Sequence, residues 1–260
     1  MANTACIPVR RNLMTANNTH SAATASERTS RIATEEMILR LFSPDTSSPR
    51  KAFSAQVDHA SLWRADAIHR ARNLAQLVAS LANIAEHPTR RWFPEELVIK
   101  MRSLARAYEE LGTDCGTADM VPCVPLLGTI AIGLTEIFGS ARDIAVSVDA
   151  DTVRMMPDMR RALILMCSEL IINALKYGYP PGTSGTIRVA LKNTAAGLSL
   201  VVENDGIDFA TDCAVHEGSA LLERLGAVLG ASMQRGSGSQ GHGYRVGATV
   251  CARQPLRQPL

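Results

Sequence analysis

From residue 1 to about residue 50 the apolar positions follow no period, and Thr, Ser, Ala and Asn predominate. Apolar surface is too sparse there to offset the entropy of ordering, so 1–50 reads as a disordered tail. From about Ala55 to Glu86 the pattern turns helical. Leu74, Leu77, Val78, Leu81 and Ile84 recur at three- and four-residue steps and make one stripe. Pro88 and Pro94 bracket a short connection, with Pro94 where a first helical turn tolerates it. A second helix, about Glu95 to Leu111, aligns Leu97, Met101, Leu104, Tyr108 and Leu111, and Gly112 is its expected C-terminal cap. Together they predict an antiparallel hairpin over 55–114. One hairpin buries little by itself, so pairing with a second copy into a four-helix bundle, a homodimer, is the expected solution.

Beyond a loop at Thr113 to Asp119 the pattern changes again. A helix from about Val124 to Phe138 precedes a β-like run, Asp143 to Val148, and then a long helix, Asp158 to Tyr177. Strands follow at Thr186 to Lys192 and Leu198 to Glu203, then a helix at Gly218 to Leu229. The end is β-like, with Tyr244 to Cys251 the clearest strand. Helices on one side of a mixed or antiparallel sheet give an α+β, two-layer sandwich over 120–253, with 254–260 a tail.

Composition narrows the classes. Hydrophobic residues make up 46% and charged residues 20%, the balance of an ordinary soluble globular protein. Only 4% are aromatic, so the cores must be built from Ala, Leu, Val, Ile and Met. A net charge of +2, without basic clusters interleaved with aromatics, argues against nucleic acid as a partner. No apolar run reaches the roughly 20 residues of a membrane span. The nearest, Val121 to Phe138, is interrupted by Pro125, Thr129, Thr135 and Glu136 and reads as a buried helix. Cys6, Cys115, Cys123, Cys167, Cys213 and Cys251 form no Cys-x-x-Cys pair, which disfavours metal ligation and disulfides and suits a reducing, cytoplasmic setting. For the N-terminal tail, composition favours disorder over an organelle-targeting peptide.

Three constellations carry chemistry. On the first helix His69, Arg72, Asn73 and Gln76 fall at i, i+3, i+4 and i+7, one polar face away from the leucines. A neutral imidazole there can attack phosphorus, and an ordinary histidine pKa near 6.5 leaves it neutral at cytoplasmic pH; a solvated surface histidine is the bland alternative. In SELIINALKYG, Glu169 and Asn173 lie one turn apart, able to organise hydrated Mg²⁺, while Lys176 can approach phosphate; otherwise this is an amphipathic core helix. In VENDGID, after a strand, Gly206 permits close approach of a ligand, and Asn204 or Asp205 offers an acceptor for an adenine amino group. Asn-Asp-Gly is also ordinary turn chemistry. Gly218 opens a helix, where phosphate binds well, and Gly241 and Gly243 flank His242 before the last strand.

Order and spacing together are more specific than any one of these. AIHRARNLAQLVASL resembles the dimerisation and phosphoacceptor helix of HWE-like histidine kinases and their close sister family, whose signature is His-Arg-x-x-Asn followed by Leu and Gln. RSLARAYEEL is similar to the matching return helix. SELIINALKYG resembles the N box of GHKL ATPases, and VENDG their G1 box, so the resemblance covers roughly residues 60 to 252 and implies a Bergerat-type sandwich.

The resemblance implies a cytoplasmic two-component kinase using ATP and Mg²⁺. His69 takes the γ-phosphoryl group and passes it to an aspartate of a response-regulator receiver. Asn173 holds Mg²⁺, Glu169 orients water or acts as a base, and Lys176 and Tyr177 face phosphate. Asn204 and Gly206 contact adenine, and Gly218 and Gly243 belong to the nucleotide loops. Asn73, one turn from His69, is placed to orient water for dephosphorylating the receiver. The chain departs from the pattern where Asn204 replaces the G1 aspartate, Asp208 the second G1 glycine, and His216-Glu217-Gly218 the Gly-x-Gly of the lid. The HWE tryptophan is absent and Ser168 stands where that subgroup has histidine, which points to the sister family. Those departures keep a second function open: a dimeric histidine phosphotransferase whose ATPase-like domain binds no nucleotide. A GHKL binding switch is disfavoured, because such switches lack a phosphoacceptor helix.

Overall fold

Helix α1 (Glu95–Gly112) carries Glu95 and Glu96 in its first turn, where carboxylates suit the positive end of the helix dipole. The computed structural model in which it is seen describes residues 67, 68, 75, 78, 95–113, 119–180, 182–207 and 219–251. The expected stripe on α1 is the buried one: Met101, Leu104, Tyr108 and Leu111 are buried, with Val98 and Ala105 beside them. They pack against α2 (Val124–Phe138). Gly133 sits at the crossing, where a Cβ would press on Leu104 Cδ1 at 3.2 Å, so the missing side chain admits Leu104. Gly112 is not the left-handed cap expected from sequence. It is the last residue of the helix, buried and without a positive φ. Thr113 closes the end instead, its Oγ1 donating to Glu109 O at 3.0 Å and its N–H to Glu110 O at 3.3 Å.

A strand ribbon of two residues each, β1 (Val121–Pro122) against β3 (Arg154–Met155), leads into helix α3 (Pro157–Asn173). Pro157 fits the first turn, and Ala162 to Cys167 are buried without a break. Two arginines of α3 hold α1. Arg161 donates from Nε to Leu111 O at 2.6 Å and from Nη2 to Thr113 O at 2.9 Å, while Nη1 binds Asp158 at 2.6 Å. Arg160 reaches Glu110 at 2.8 Å. A cation on the last carbonyls of a helix also matches its negative dipole end. The second hairpin helix is therefore built into one core with α2 and α3, and Ala67, Ala75 and Val78 of the first helix are buried in that same core.

The sheet runs β2 (Ile144–Ala150), β4 (Gly185–Thr194), β5 (Gly197–Asn204), β7 (Tyr244–Cys251) and β6 (Ala231–Ser237). β2 and β4 are parallel, joined through α3; the other pairs are antiparallel. Alternation puts Ile187, Val189, Leu191, Leu200, Val202, Val246 and Ala248 on one buried face, under α2, α3 and α4 (Ser219–Leu229). The other face carries a polar row in register, Arg188, Glu203 and Arg245. Helices on one face of a mixed sheet are the α+β arrangement expected from the sequence. β2 begins after Asp143, not at it, because Asp143 ends a 3-10 turn in the left-handed region, φ 57°.

Candidate functional site

Glu169 and Asn173 project from α3 one turn apart, about 5–6 Å between Cβ atoms by helix geometry. Glu169 is buried and Asn173 half-buried, and Leu170, Ile171, Ala174 and Leu175 hold the opposite side in the core. The helix does not run on to Tyr177 as expected. It ends at Asn173 and passes into a π turn, Ala174–Gly178, which carries half-buried Lys176 and exposed Tyr177. Such wide turns re-aim the side chains they hold and recur at functional sites. Arg142, buried, sets this turn in place: Nη1 donates to Leu175 O at 2.9 Å and Nη2 to Phe138 O at 3.0 Å, joining the ends of α2 and α3.

The turn after β5 closes onto the π turn. Ile207 N–H donates to Gly178 O at 2.9 Å. A Cβ on Gly206 would overlap that carbonyl, and one on Gly178 would touch the Asn204 carboxamide at 3.0 Å. Tyr179 Oη donates to Asp205 Oδ1 at 3.1 Å, and Thr186 N–H donates to the same oxygen at 2.7 Å. Burial, and then the Asp205 carboxylate, push the Tyr179 phenol above its ordinary range, so it stays the donor. Asn204 is 3% exposed; its Oδ1 accepts Gly206 N–H at 3.1 Å and its Nδ2 donates to Tyr244 O at 3.4 Å.

The β6–β7 hairpin forms the third wall. Gly243 is buried with φ +75°, and a Cβ there would overlap Asn204 O, so only glycine fits. Gly238 N–H donates to Gly243 O at 3.1 Å. Glu203 anchors the hairpin: its Oε1 accepts Ser239 N–H at 3.0 Å and also Ser239 Oγ, with Arg188 at 3.4 Å. Burial raises the Glu203 pKa, but Ser239 and the two arginines outweigh it and hold the carboxyl below the usual range.

Asn204, Gly206 and Gly243 thus meet around the turn that bears Lys176 and Tyr177, with Asn173 at its start and Glu169 one turn earlier. His69, Asn73, Gly218, Asp208 and His216 lie outside the described residues. Sequence reasoning missed Arg142, Tyr179, Glu203 and Ser239, which act through carbonyls and hydrogen bonds and leave no period or motif. Among the described residues no cluster of three His, Cys, Asp or Glu side chains could hold a metal alone. Asn173 and Glu169 place an amide and a carboxylate one turn apart on α3. A groove of about 680 Å³ between α1, α2 and the end of β2 takes in Lys100, Gly128, Ile132 and Val148, and none of the expected site residues lines it.

These features define a two-layer α/β module in which a helix carrying a carboxylate and an amide is closed by a glycine-bearing turn. No family model matches the chain. It is similar to blue-light-activated histidine kinase 2 of Erythrobacter litoralis, 27% identical over 188 residues, 68% of this chain and 54% of that protein. It is similar also to the sensor histidine kinase PdtaS of Mycobacterium tuberculosis, 22% identical over 193 residues, 72% of this chain and 38% of that one. The chain spans about half, or less, of the length of these curated relatives. Among solved structures, the histidine kinase domain of the Erythrobacter litoralis EL346 blue-light-activated kinase gives a TM-score of 0.48 at 23% identity, covering 68% of this chain and 93% of that one. The ATP-binding domain of PrrB from Mycobacterium tuberculosis gives 0.39 at 20% identity, with 52% and 99% covered. Over roughly two thirds of its length, then, the chain is similar in sequence to histidine kinases. No helix among the described residues is long and apolar enough to cross a membrane.

Proposed function

We propose that the chain is a histidine kinase of the family sister to the HWE kinases, in which His69 takes the γ-phosphoryl group of ATP and hands it to a response-regulator aspartate. The observation that carries this reading is the pairing of buried Glu169 with Asn173 at the point where α3 turns onto the Asn204–Gly206 turn. Asn173 would hold Mg²⁺, which supplies charge neutralisation at the phosphates when bound. Glu169, largely withdrawn from water, would orient water or act as a base. Lys176 offers positive charge to phosphate, and Asn204 with Gly206 makes the floor for the base. Catalysis in this class of transfer is mostly positioning and charge stabilisation, which suits a site fixed by backbone contacts. A homodimer through the 55–114 hairpin, a cytoplasmic setting and Asn73 as a water-orienting residue for dephosphorylation complete the reading.

A second reading has its own support. Asn204 carries no charge, and its carboxamide is already engaged by Gly206 N–H and Tyr244 O. A phosphotransferase that relays phosphate between His69 and receivers, without binding nucleotide, needs no free acceptor there. Titration calorimetry with Mg·ATP separates the two: saturable binding, weakened at least tenfold by Asn173→Ala, supports the kinase. No heat of binding, with His69 labelled by back-transfer from a phosphorylated receiver, supports the relay.

A further inference from the structure

We propose that Arg142 is a positioning residue that sets where Lys176 and Tyr177 stand, by holding the backbone carbonyls on either side of them. The role rests on the reading of Lys176 given above. Arg142 is buried, and Nη1 donates to Leu175 O at 2.9 Å and to Tyr179 O at 3.4 Å. Leu175 and Tyr179 bracket Lys176, Tyr177 and Gly178, so one nitrogen spans the mouth of the π turn and fixes its width. Nη2 donates to Phe138 O at 3.0 Å, which ties the same turn to the last residue of α2. Carbonyls at a helix end lack donors within their own helix and carry the negative end of its dipole. A guanidinium there is held by charge as well as by hydrogen bonds, and its planar fork serves two segments at once, which the single nitrogen of a lysine does not.

The clamp starts from a fixed base. Gly139 O accepts Arg142 N–H at 3.1 Å and Ile144 N–H at 3.0 Å, and Asp143 N–H donates to Ser140 O at 3.2 Å. A Cβ on Gly139 would meet Thr135 O at 2.8 Å and Leu175 Cδ2 at 3.2 Å, so the end of α2 lies directly against the π turn. On the far side Gly178 O accepts Ile207 N–H at 2.9 Å. The segment that carries Lys176 and Tyr177 is thus tied at three carbonyls, two of them by Arg142. An ammonium on a flexible stem is aimed only as well as its backbone is fixed, and removing Arg142 frees both sides of the turn.

The full chain is compared with Arg142→Met, Lys176→Met and the double variant, with Tm confirming that each is folded, and Mg·ATP affinity is measured by calorimetry. Each single variant is expected to weaken binding at least about fivefold, as loss or misplacement of a positioned group does. The double variant binds no more weakly than the weaker single one, because Arg142 acts through Lys176. Parental affinity in folded Arg142→Met overturns the proposal, and so do losses that multiply in the double variant, which leave Arg142 a support of the fold alone. Where Arg142→Met does not fold, Arg142→Lys takes its place with the same expectations. Should the parent bind no nucleotide, the kinase reading fails by itself, and hydrogen exchange decides the clamp. Faster exchange of the Lys176 to Tyr179 amides in the Arg142 variant, with the Ile187 to Leu191 amides unchanged, supports it. Exchange unchanged at the turn, or raised equally in both segments, overturns it.

Discussion

Gly206 lies backbone to backbone against Gly178, so closely that any side chain on Gly206 would occupy the position of the Gly178 carbonyl oxygen. That oxygen also accepts Ile207 N–H at 2.9 Å. The end of the Glu169–Asn173 helix and the turn after β5 are thereby one rigid piece. Gly206→Ala is expected to force the two apart, lowering stability by about 1–3 kcal/mol as overpacking does. Denaturant unfolding gives the first quantity; calorimetry should show Mg·ATP affinity reduced tenfold or more.

Gly243→Ala meets two obstacles together, a left-handed φ of +75° and overlap with Asn204 O. A loss of about 2–6 kcal/mol follows from adding backbone strain to overpacking. Gly236→Ala is the control, because a Cβ there meets nothing within 4 Å; its unfolding midpoint should stay close to the parent's.

Arg161→Met should release α1 from α3. The guanidinium is buried and serves Leu111 O, Thr113 O and Asp158 together, and removing one side of a buried charged network costs about 3–5 kcal/mol. Exchange of the α1 amides would rise well before that of the β4 and β5 amides if α1 detaches as a unit. Uniform loss across both would show a single cooperative core.

Glu203 gives stability a pH dependence of defined sign. Its folded carboxyl binds a proton less readily than an unfolded glutamate near pKa 4.3. The unfolded state therefore takes up protons first, and the stabilisation is complete above that value and lost as pH falls through the lower folded pKa. In thermal melts the gap between the parent and Glu203→Gln should be constant from about pH 6 upward and shrink in acid. A gap that widens in acid would show that Glu203 is held protonated.

Cys123 and Cys167 are both buried, and burial pushes the Cys123 thiol up to about 12 and Cys167 higher still. Thiolate is the reactive form, so neither should be alkylated by iodoacetamide at about pH 8 in the native protein, and both should be in denaturant. Peptide mapping by mass spectrometry reads this site by site.

The layers of the fold are legible in the sequence because they depend on period. Met101, Leu104, Tyr108 and Leu111 repeat at helical steps, and the alternation of a buried strand is visible in Ile187, Val189 and Leu191. β6 escapes such reading because Ala231–Ser237 is mostly exposed and so carries no apolar signal. The π turn escapes it because a register change in hydrogen bonding leaves Leu175, Lys176 and Tyr177 looking like one more helical turn. Of the candidate site, Glu169, Asn173, Asn204 and Gly206 are the residues a motif singles out. Arg142 and Glu203 are not, since their partners lie 33 and 36 residues away and only the folded chain brings them together.

At the centre of the proposal, His69 receives phosphate from a nucleotide held at the Glu169–Asn173 helix. Incubation with γ-labelled ATP, comparing the parent with His69→Gln and Asn173→Ala, tests it most directly. Acid-labile, base-stable label is predicted in the parent and none in either variant; label that persists in His69→Gln would contradict it.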